Sequence, residues 1–155
     1  MPISVTKDQK FPIPTKLLRQ AGLRVLREAG LENALVDILL TDDSTVRSLN
    51  LQYRGLDKTT DVLSFAQMDA AAGGPDVPKS PLLPIILGDV VISVPTALQQ
   101  ANQHAVSIEQ ELALLTVHGI LHLLGFEDET DAGALSMHTR EKQLLGFTFS
   151  AAEIS

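Results

Sequence analysis

The sequence predicts a single α+β domain in which a small sheet of four strands packs against about five helices. The chain has 155 residues, of which 45% are hydrophobic, and this size and composition suit one domain with a substantial core. Four short segments are apolar or alternating, and five longer segments repeat apolar residues at helical spacing. Because strands and helices are mixed along the chain, we expect residues 1–155 to fold as one unit with helices covering the sheet.

The first half of the chain contains two predicted strands, each followed by a helix. Residues Ile3 to Thr6 alternate as in a short strand, and a helix begins after Pro14 and ends at Gly30. The apolar run Ala34 to Leu40 is the second strand. Polar residues Thr41 to Ser44 supply the N-cap of a helix that continues to about Tyr53.

The second half begins with two strands and continues as helices. Asp61 to Phe65 and Leu83 to Ser93 are predicted strands, with a bulge at Gly88. Residues Met68 to Pro81 between them hold glycines, prolines and alanines without apolar periodicity, which predicts a surface loop. The remaining predicted helices span about 95 to 104, 107 to 124 and 129 to 145, and the last two end at Gly125 and Gly146.

The charge balance disfavours a protein that grips many phosphates at once. The formal net charge is −7, yet residues 1 to 60 carry +2 and residues 101 to 155 carry −6. The N-terminal basic residues either steer a polyanion from a shared face or form an ordinary solvated helix surface. They are Lys7, Lys10, Lys16, Arg19, Arg24 and Arg27.

Neither a leader peptide nor a membrane segment is evident in the sequence. The N-terminus lacks a basic region followed by an apolar one, and no apolar run approaches the roughly 18 residues that cross a membrane. We therefore expect a cytoplasmic protein without membrane contact. The chain has no cysteine, so that any zinc ion would need His, Asp or Glu ligands.

The strongest chemical signal is the run from His118 to Asp128. His118 and His122 are four residues apart on a predicted helix, so their side chains lie on one face and can reach one metal ion. Gly125 ends the helix and lets the chain turn, which would bring Asp128 back as a third ligand and leave a fourth position for water. The alternative is that the two histidines serve only packing.

Other residues near this run have two interpretations each. Gly119 either permits close approach of a substrate or allows tight helix packing. Zinc peptidases of the His-Glu-x-x-His type place a glutamate at that position as general base, so a peptidase would need Glu127 or Glu111 instead. For Glu111 a solvated helix face is the preferred interpretation. His104 and His138 are interpreted as surface histidines.

A second group of polar residues surrounds the end of the second predicted helix. Arg54, followed by Lys58, is suited to bind a phosphate through its planar set of donors. Asp57 or Asp61 could instead pair with Arg54 in a purely structural ion pair, and from this stretch alone we favour that interpretation.

Four blocks of the sequence together resemble the YbeY family of bacterial zinc-dependent endoribonucleases. They are Leu49-Asn50-x-x-Tyr53-Arg54-Gly55-x-Asp57, Thr60 to Phe65, Leu87 to Ser93 and His118 to Asp128. The resemblance implies a mixed four-stranded sheet and a metzincin-like site for one zinc ion on a helix and the following turn. The family motif usually ends in a third histidine, which Asp128 replaces here, and its negative charge should make water bound to the metal less acidic.

The resemblance also implies what the protein acts on. It predicts cleavage of single-stranded RNA, maturation of the 3′ end of 16S ribosomal RNA, a role in ribosome quality control and contact with the small ribosomal subunit. In this interpretation His118, His122 and Asp128 bind zinc, and Arg54 is catalytic because it stabilises charge on the scissile phosphate. The alternatives are a metallopeptidase-like hydrolase and a non-catalytic ribosome-binding module with a structural metal.

Overall fold

The computed structural model describes residues 3–8, 11–67 and 85–126, together with five helical positions further on. Those positions are Ala132, Gly133, Leu135, Thr139 and Glu141. In chain order the elements are β1 (Ile3–Lys7), α1 (Lys16–Glu28), β2 (Leu35–Thr41), α2 (Asp43–Arg54), β3 (Val62–Ala66), β4 (Ile86–Ser93), α3 (Val94–His104) and α4 (Ile108–Leu123).

The four strands form one mixed sheet in the order β1-β2-β4-β3. The β1–β2 and β2–β4 pairs are parallel, whereas β3 runs antiparallel to β4. This arrangement confirms the predicted α+β class and the mixed four-stranded sheet. Among the described residues, β3 is an edge strand, because only one of its sides pairs with another strand.

The core lies mainly on one face of the sheet. Alternate residues of β2 and β4 point toward α1 and α4 because successive side chains of a strand face opposite sides. These inward residues are Val36, Ile38, Leu40, Val90 and Ile92. On the opposite face, α2 covers a smaller cluster formed by Val46, Leu63 and Val91.

Helix α4 is buried along most of its length between the sheet, α1 and α3. Ten of its 16 residues are buried, and its N-terminus is closed by a capping box between Ser107 and Gln110. Beyond its last turn Gly125 has φ 99°, a conformation that glycine adopts without strain. The predicted end of this helix is therefore confirmed.

The predicted bulge in β4 is also present. Leu35 pairs with Ile86, but the next residue, Val36, pairs with Gly88, so Leu87 is the additional residue. Gly88 has φ 147°, and a Cβ atom there would lie 2.2 Å from the Phe65 carbonyl oxygen. Only glycine fits this close approach of two backbones.

The number of helices differs from the five expected. Four helices have defined bounds in the described ranges, and of the fifth predicted helix, 129 to 145, only the five helical positions are described. The predicted loop Met68 to Pro81 lies outside the described residues, as does the expected start of β4 at Leu83. None of the helices in the described ranges has the length and hydrophobicity that crossing a membrane requires.

Asp43 connects three segments at the carboxyl ends of β2 and β4. Its Oδ1 atom accepts hydrogen bonds from the hydroxyl groups of Ser93, of Thr96 (2.6 Å) and of Thr59 (3.4 Å). The Ser93 and Thr96 bonds lower the pKa of Asp43 most, because they stabilise the ionised carboxylate. The start of α2, the start of α3 and the loop before β3 are thereby held together.

We expect the Asp43 cluster to make stability depend on acid pH. A lowered pKa in the folded state stabilises the protein above the ordinary aspartate pKa of about 3.9, and this contribution is lost as the pH falls through the lowered value. Asp43→Asn should reduce the free energy of unfolding at pH 7 by about 1 kcal/mol. The difference from wild type should shrink toward pH 3, as measured by urea unfolding.

Glu32→Gln is the matched control, since Glu32 is exposed and has no hydrogen bond within the described ranges. A loss in Asp43→Asn that stays constant from pH 7 to about pH 3 would contradict this account.

Candidate functional site

His118 and His122 converge at the C-terminal end of α4. Their Nε2 atoms are 3.1 Å apart, and their rings meet edge to face with centroids 4.7 Å apart. Two nitrogens bound to one tetrahedral zinc ion at about 2.0–2.1 Å would lie about 3.3 Å from each other. The pair therefore has the spacing of two ligands of a shared ion.

A buried carboxylate from the C-terminal part of the chain orients the first imidazole. Glu141 Oε1 lies 2.5 Å from His118 Nδ1, and only 8% of the Glu141 side chain is exposed. An ionised carboxylate only accepts hydrogen bonds, so Nδ1 of His118 donates to Glu141, and Nε2 is the ring nitrogen that faces His122. Carboxylates hold metal-binding histidines in this way, yet the sequence offered no spacing that connects residues 23 positions apart.

The two histidines open into a cavity of about 360 Å³, hereafter the histidine cavity. Besides His118 and His122, it is lined by Arg54, Thr60, Asp61, Val62, Ser64, Ala66 and Leu123. Ser64 donates a hydrogen bond of 2.8 Å from its hydroxyl group to the Gly119 carbonyl, which fixes β3 against α4. The Thr60 and Ser64 hydroxyl groups are polar members of this site that sequence reasoning did not single out.

The free edge of β3 forms one side of this cavity. The Asp61 carbonyl accepts from Ser93 N–H, and Gln67 N–H donates to the Leu87 carbonyl, so the backbone groups of these residues face β4. The N–H and C=O groups of successive residues in a strand point to alternate sides, so the backbone groups of Val62, Ser64 and Ala66 point away from β4. An extended ligand can bind along this edge beside the histidines.

Arg54 is the last residue of α2 and lines the histidine cavity. Its side chain is exposed and makes no hydrogen bond or ion pair with any residue of the described ranges. The structural ion pair favoured from the sequence is wrong. Asp57 instead pairs with Arg47 at 2.7 Å, which lowers the Asp57 pKa by a hydrogen bond and by the neighbouring positive charge.

Asp61 is engaged by groups other than Arg54. Its Oδ1 atom accepts from Val62 N–H and from the Thr60 hydroxyl group, and Oδ2 accepts from Gln100. Lys58 lines a different depression with Asp43, Ser44, Arg47, Asp57 and Thr59, so it does not share the histidine cavity with Arg54.

Glu111 departs from both interpretations made from the sequence. It is 1% exposed, which contradicts a solvated helix face, and its Oε2 atom lies 2.9 Å from His104 Nδ1. Seven residues of helix place it about 10 Å along the axis from His118, and it does not line the histidine cavity. The helix is covered on this side too, so a carboxylate here needs an internal partner, and His104 supplies it.

Asp128, the predicted third ligand, lies outside the described residues, and so do Glu127 and His138. In the described part of the chain, no three His, Asp or Glu side chains gather closely enough to hold a metal ion. The two imidazoles nevertheless fit such an ion, because they face each other at ligand spacing and one of them is oriented by a carboxylate.

Gly119 is required for packing of α4 on the sheet. A Cβ atom at this position would lie 2.6 Å from Val90 Cγ1 and 3.2 Å from Ser64 Oγ. Tight helix packing, one of the two interpretations of this glycine, is therefore correct. The same contact leaves no room for the glutamate that a His-Glu-x-x-His peptidase would carry there.

The N-terminal basic residues that the structure describes do not surround the histidine cavity, and Lys10 lies outside the described residues. Among those described, Lys7 donates to the Ile13 carbonyl and Arg19 donates to the Ile3 carbonyl, so both stabilise the fold around β1. Lys16, Arg24 and Arg27 belong to α1, which packs near the opposite edge of the sheet from β3. None of these five residues lines the histidine cavity.

Comparison with known proteins agrees with this geometry. The family model described as Endoribonuclease YbeY matches residues 4–148. The chain belongs to the YbeY family. Membership makes it an endoribonuclease, a hydrolase that acts on RNA, and argues against both the metallopeptidase and the non-catalytic module.

Several curated relatives cover most of the chain. Endoribonuclease YbeY of Moorella thermoacetica is 41% identical over 153 residues, which is 94% of this chain and 96% of the relative. The protein of the same name from Pelotomaculum thermopropionicum is 42% identical over 85% of this chain and 84% of its own length. The solution structure of TM1509 from Thermotoga maritima has the same fold, with TM-score 0.59 and 24% sequence identity. The match covers 99% of this chain and 96% of TM1509.

We expect Gly119→Ala to destabilise this YbeY protein by about 1–3 kcal/mol, because its methyl group would overlap with Val90. The loss should be much smaller in a Val90→Ala background, where the overlapping methyl groups are absent. Urea unfolding of the four proteins of this cycle measures the coupling. Equal losses in the two backgrounds would show that the Val90 contact is not the cause.

We expect Glu141→Ala to weaken zinc binding about 10- to 100-fold, because His118 would no longer be oriented. Glu141→Gln should retain most of the affinity, since its amide oxygen still accepts from Nδ1–H. Competition with a chromophoric chelator measures the dissociation constant, and circular dichroism checks the fold. Unchanged affinity in a folded Glu141→Ala variant would contradict the role of Glu141.

Proposed function

We propose that this protein is a zinc-dependent endoribonuclease of single-stranded RNA that matures the 3′ end of 16S ribosomal RNA. Its setting is the cytoplasm, its partner is the small ribosomal subunit, and it takes part in ribosome quality control. The residues 1–155 act as one catalytic domain. Family membership supports the endoribonuclease class, and the four sequence blocks that resemble the family support the ribosomal substrate.

One observation supports this proposal above the others. Two facing imidazoles and an exposed arginine share a single cavity that lies beside a free strand edge. The imidazoles are suited to a metal ion, and the guanidinium group is suited to a phosphate. Both kinds of group stabilise the negative charge that grows on the oxygens of a phosphodiester during cleavage, so their presence in one cavity favours a phosphodiester over a peptide bond as the bond that is cut.

His118, His122 and Asp128 would hold one zinc ion. When bound, zinc supplies a Lewis acid for the phosphoryl oxygen and lowers the pKa of a coordinated water. An aspartate ligand is competent, and its negative charge offsets part of the charge of the ion. Glu141 keeps the His118 lone pair directed into the cavity through the bond to Nδ1.

Arg54 binds the scissile phosphate and stabilises the charge that grows on its oxygens. Its planar donors match two phosphate oxygens at once, and no internal carboxylate of the described ranges competes for them. Gly55, with φ 71°, ends α2 directly after Arg54 and so places the side chain at the end of the helix.

The shape of the site favours an unpaired strand. An extended ribonucleotide chain can follow the exposed edge of β3 and place one phosphate in the histidine cavity. A duplex keeps its two backbones apart on a wide, stiff cylinder, so neither backbone can enter a cavity of about 360 Å³ as readily.

We expect Arg54→Ala to lower kcat on single-stranded RNA about 10²- to 10³-fold, because a donor to the developing charge is removed. His122→Ala should abolish both zinc binding and cleavage. Labelled single-stranded and duplex RNA of the same sequence, incubated with zinc-loaded protein, provide the assay, and the duplex should be cut far more slowly.

Arg47→Ala is the matched control, since Arg47 is also exposed on α2 but pairs with Asp57 outside the cavity. Cleavage by Arg54→Ala at the wild-type rate would refute the catalytic role of Arg54. Cleavage that survives in His122→Ala together with full zinc occupancy would refute the ligand assignment.

A further inference from the structure

A second and larger cavity lies on the opposite face of the sheet, and its members point to a ligand with a flat ring. It measures about 980 Å³, within the range of ligand-binding clefts. We refer to it as the aromatic groove. Its lining includes Tyr53 and Arg54 of α2, Ser64, Phe65 and Ala66 of β3, Asp37 of β2 and Asp89 of β4.

Two aromatic rings form one side of the groove. Tyr53 and Phe65 meet edge to face with ring centroids 5.3 Å apart, and Tyr53 is 62% exposed. Phe65 contacts the small cluster under α2, so it supports Tyr53 from below. An exposed tyrosine held in place by a second ring is suited to stack on a planar ligand with little loss of side-chain entropy.

Two carboxylates lie on the floor of the groove. Asp37 and Asp89 are direct neighbours across β2 and β4, and Asp89 in turn is opposite Phe65 of β3. Gln67 donates a hydrogen bond of 3.4 Å to Asp89 Oδ2. Negative charge on the floor repels phosphate but accepts hydrogen bonds from the amino groups of nucleobases.

The groove is continuous with the histidine cavity. Arg54, Ser64 and Ala66 line both cavities, although the two lie on different sides of β3. A strand of RNA with a phosphate at Arg54 therefore has its neighbouring nucleotide at the entrance of the groove. The positive charge of Arg54 at this junction favours a nucleic acid over a cationic peptide.

We propose that the aromatic groove binds an unpaired nucleobase next to the cleavage site, a proposal that rests on the proposed function. The base stacks on Tyr53, and its exocyclic amino group donates to Asp37 or Asp89. Cytosine, adenine and guanine carry such an amino group, whereas uracil has none, and its one ring donor, N3–H, lies between two carbonyl oxygens that carboxylates repel. The groove thus selects against uracil.

The intrinsic fluorescence of Tyr53 can report on binding at this site. Tyr53 is the single tyrosine, and tryptophan is absent from the sequence. Intrinsic fluorescence therefore reports directly on the ring that we expect to stack. Titration of the full chain in EDTA with hexacytidylate should quench this emission saturably, after correction for absorption with N-acetyltyrosinamide.

Variants separate the contribution of stacking from that of hydrogen bonding. Fluorescence anisotropy of fluorescein-labelled hexamers measures the affinity of each variant. Hexacytidylate should bind about tenfold more tightly than hexauridylate, the preference of one good base contact. Tyr53→Ala should weaken hexacytidylate binding about 5- to 100-fold, and Tyr53→Phe should retain it. Asp37→Asn combined with Asp89→Asn should reduce the preference for cytosine. Leu98→Ala, at a 49% exposed position on α3, is the control.

The outcomes distinguish this proposal from the proposed function. If the zinc-loaded protein cuts RNA but Tyr53→Ala binds both hexamers like wild type, the groove proposal is overturned and the endoribonuclease assignment stands. Equal affinity of wild type for the two hexamers overturns the role of the carboxylates. Failure of wild type both to bind either hexamer and to cut RNA overturns the two proposals together.

Discussion

The site depends on how closely α4 packs against β3 and β4. Gly119 brings the backbone of the helix to the side chain of Val90, and the Ser64 hydroxyl group bonds to the carbonyl of the same glycine. A larger residue would push the helix away from the sheet. Because α4 is fixed in this way, the imidazoles on either side of Gly119 are directed toward the open edge of β3.

The sheet separates two environments that meet at Arg54. On one face, the histidine cavity lies between α4 and β3, and on the other the aromatic groove lies beside α2. The left-handed conformation of Gly55 ends α2 at this point, and Arg54, the last residue of the helix, lines both spaces. A single exposed arginine thus connects a site suited to phosphate chemistry with a surface suited to a base.

Three carboxylates outside the two cavities each meet specific hydrogen-bond donors or histidines, and two of them, Glu111 and Glu141, are buried. Glu141 orients His118, Glu111 meets His104, and Asp43 accepts from three hydroxyl groups. Each of these acidic groups has a partner, as removal of a charge from water requires. These three carboxylates therefore serve the fold, and none of them lines the histidine cavity.

The sequence alone determined the sheet, the helix that carries the two histidines, and their position on one face. These features follow from periodicity, caps and glycines, which act over a few residues, and the bulge at Gly88 is of the same kind. The family resemblance favoured a functional role for Arg54, against the ion pair that the local charges favoured. That ion pair was a wrong prediction because several carboxylates lie near Arg54 in the sequence, and only the folded loop brings Asp57 to Arg47.

Tertiary structure alone decided which distant groups meet. Glu141 reaches His118 across 23 residues, Gly119 faces Val90, and Tyr53 meets Phe65 edge to face beside two aspartates from different strands. Local patterns carry no information about such contacts, because packing of one element on another chooses them. Glu111 is buried for the same reason. Neighbouring elements cover its helix, so that even a charged side chain of this helix is removed from solvent.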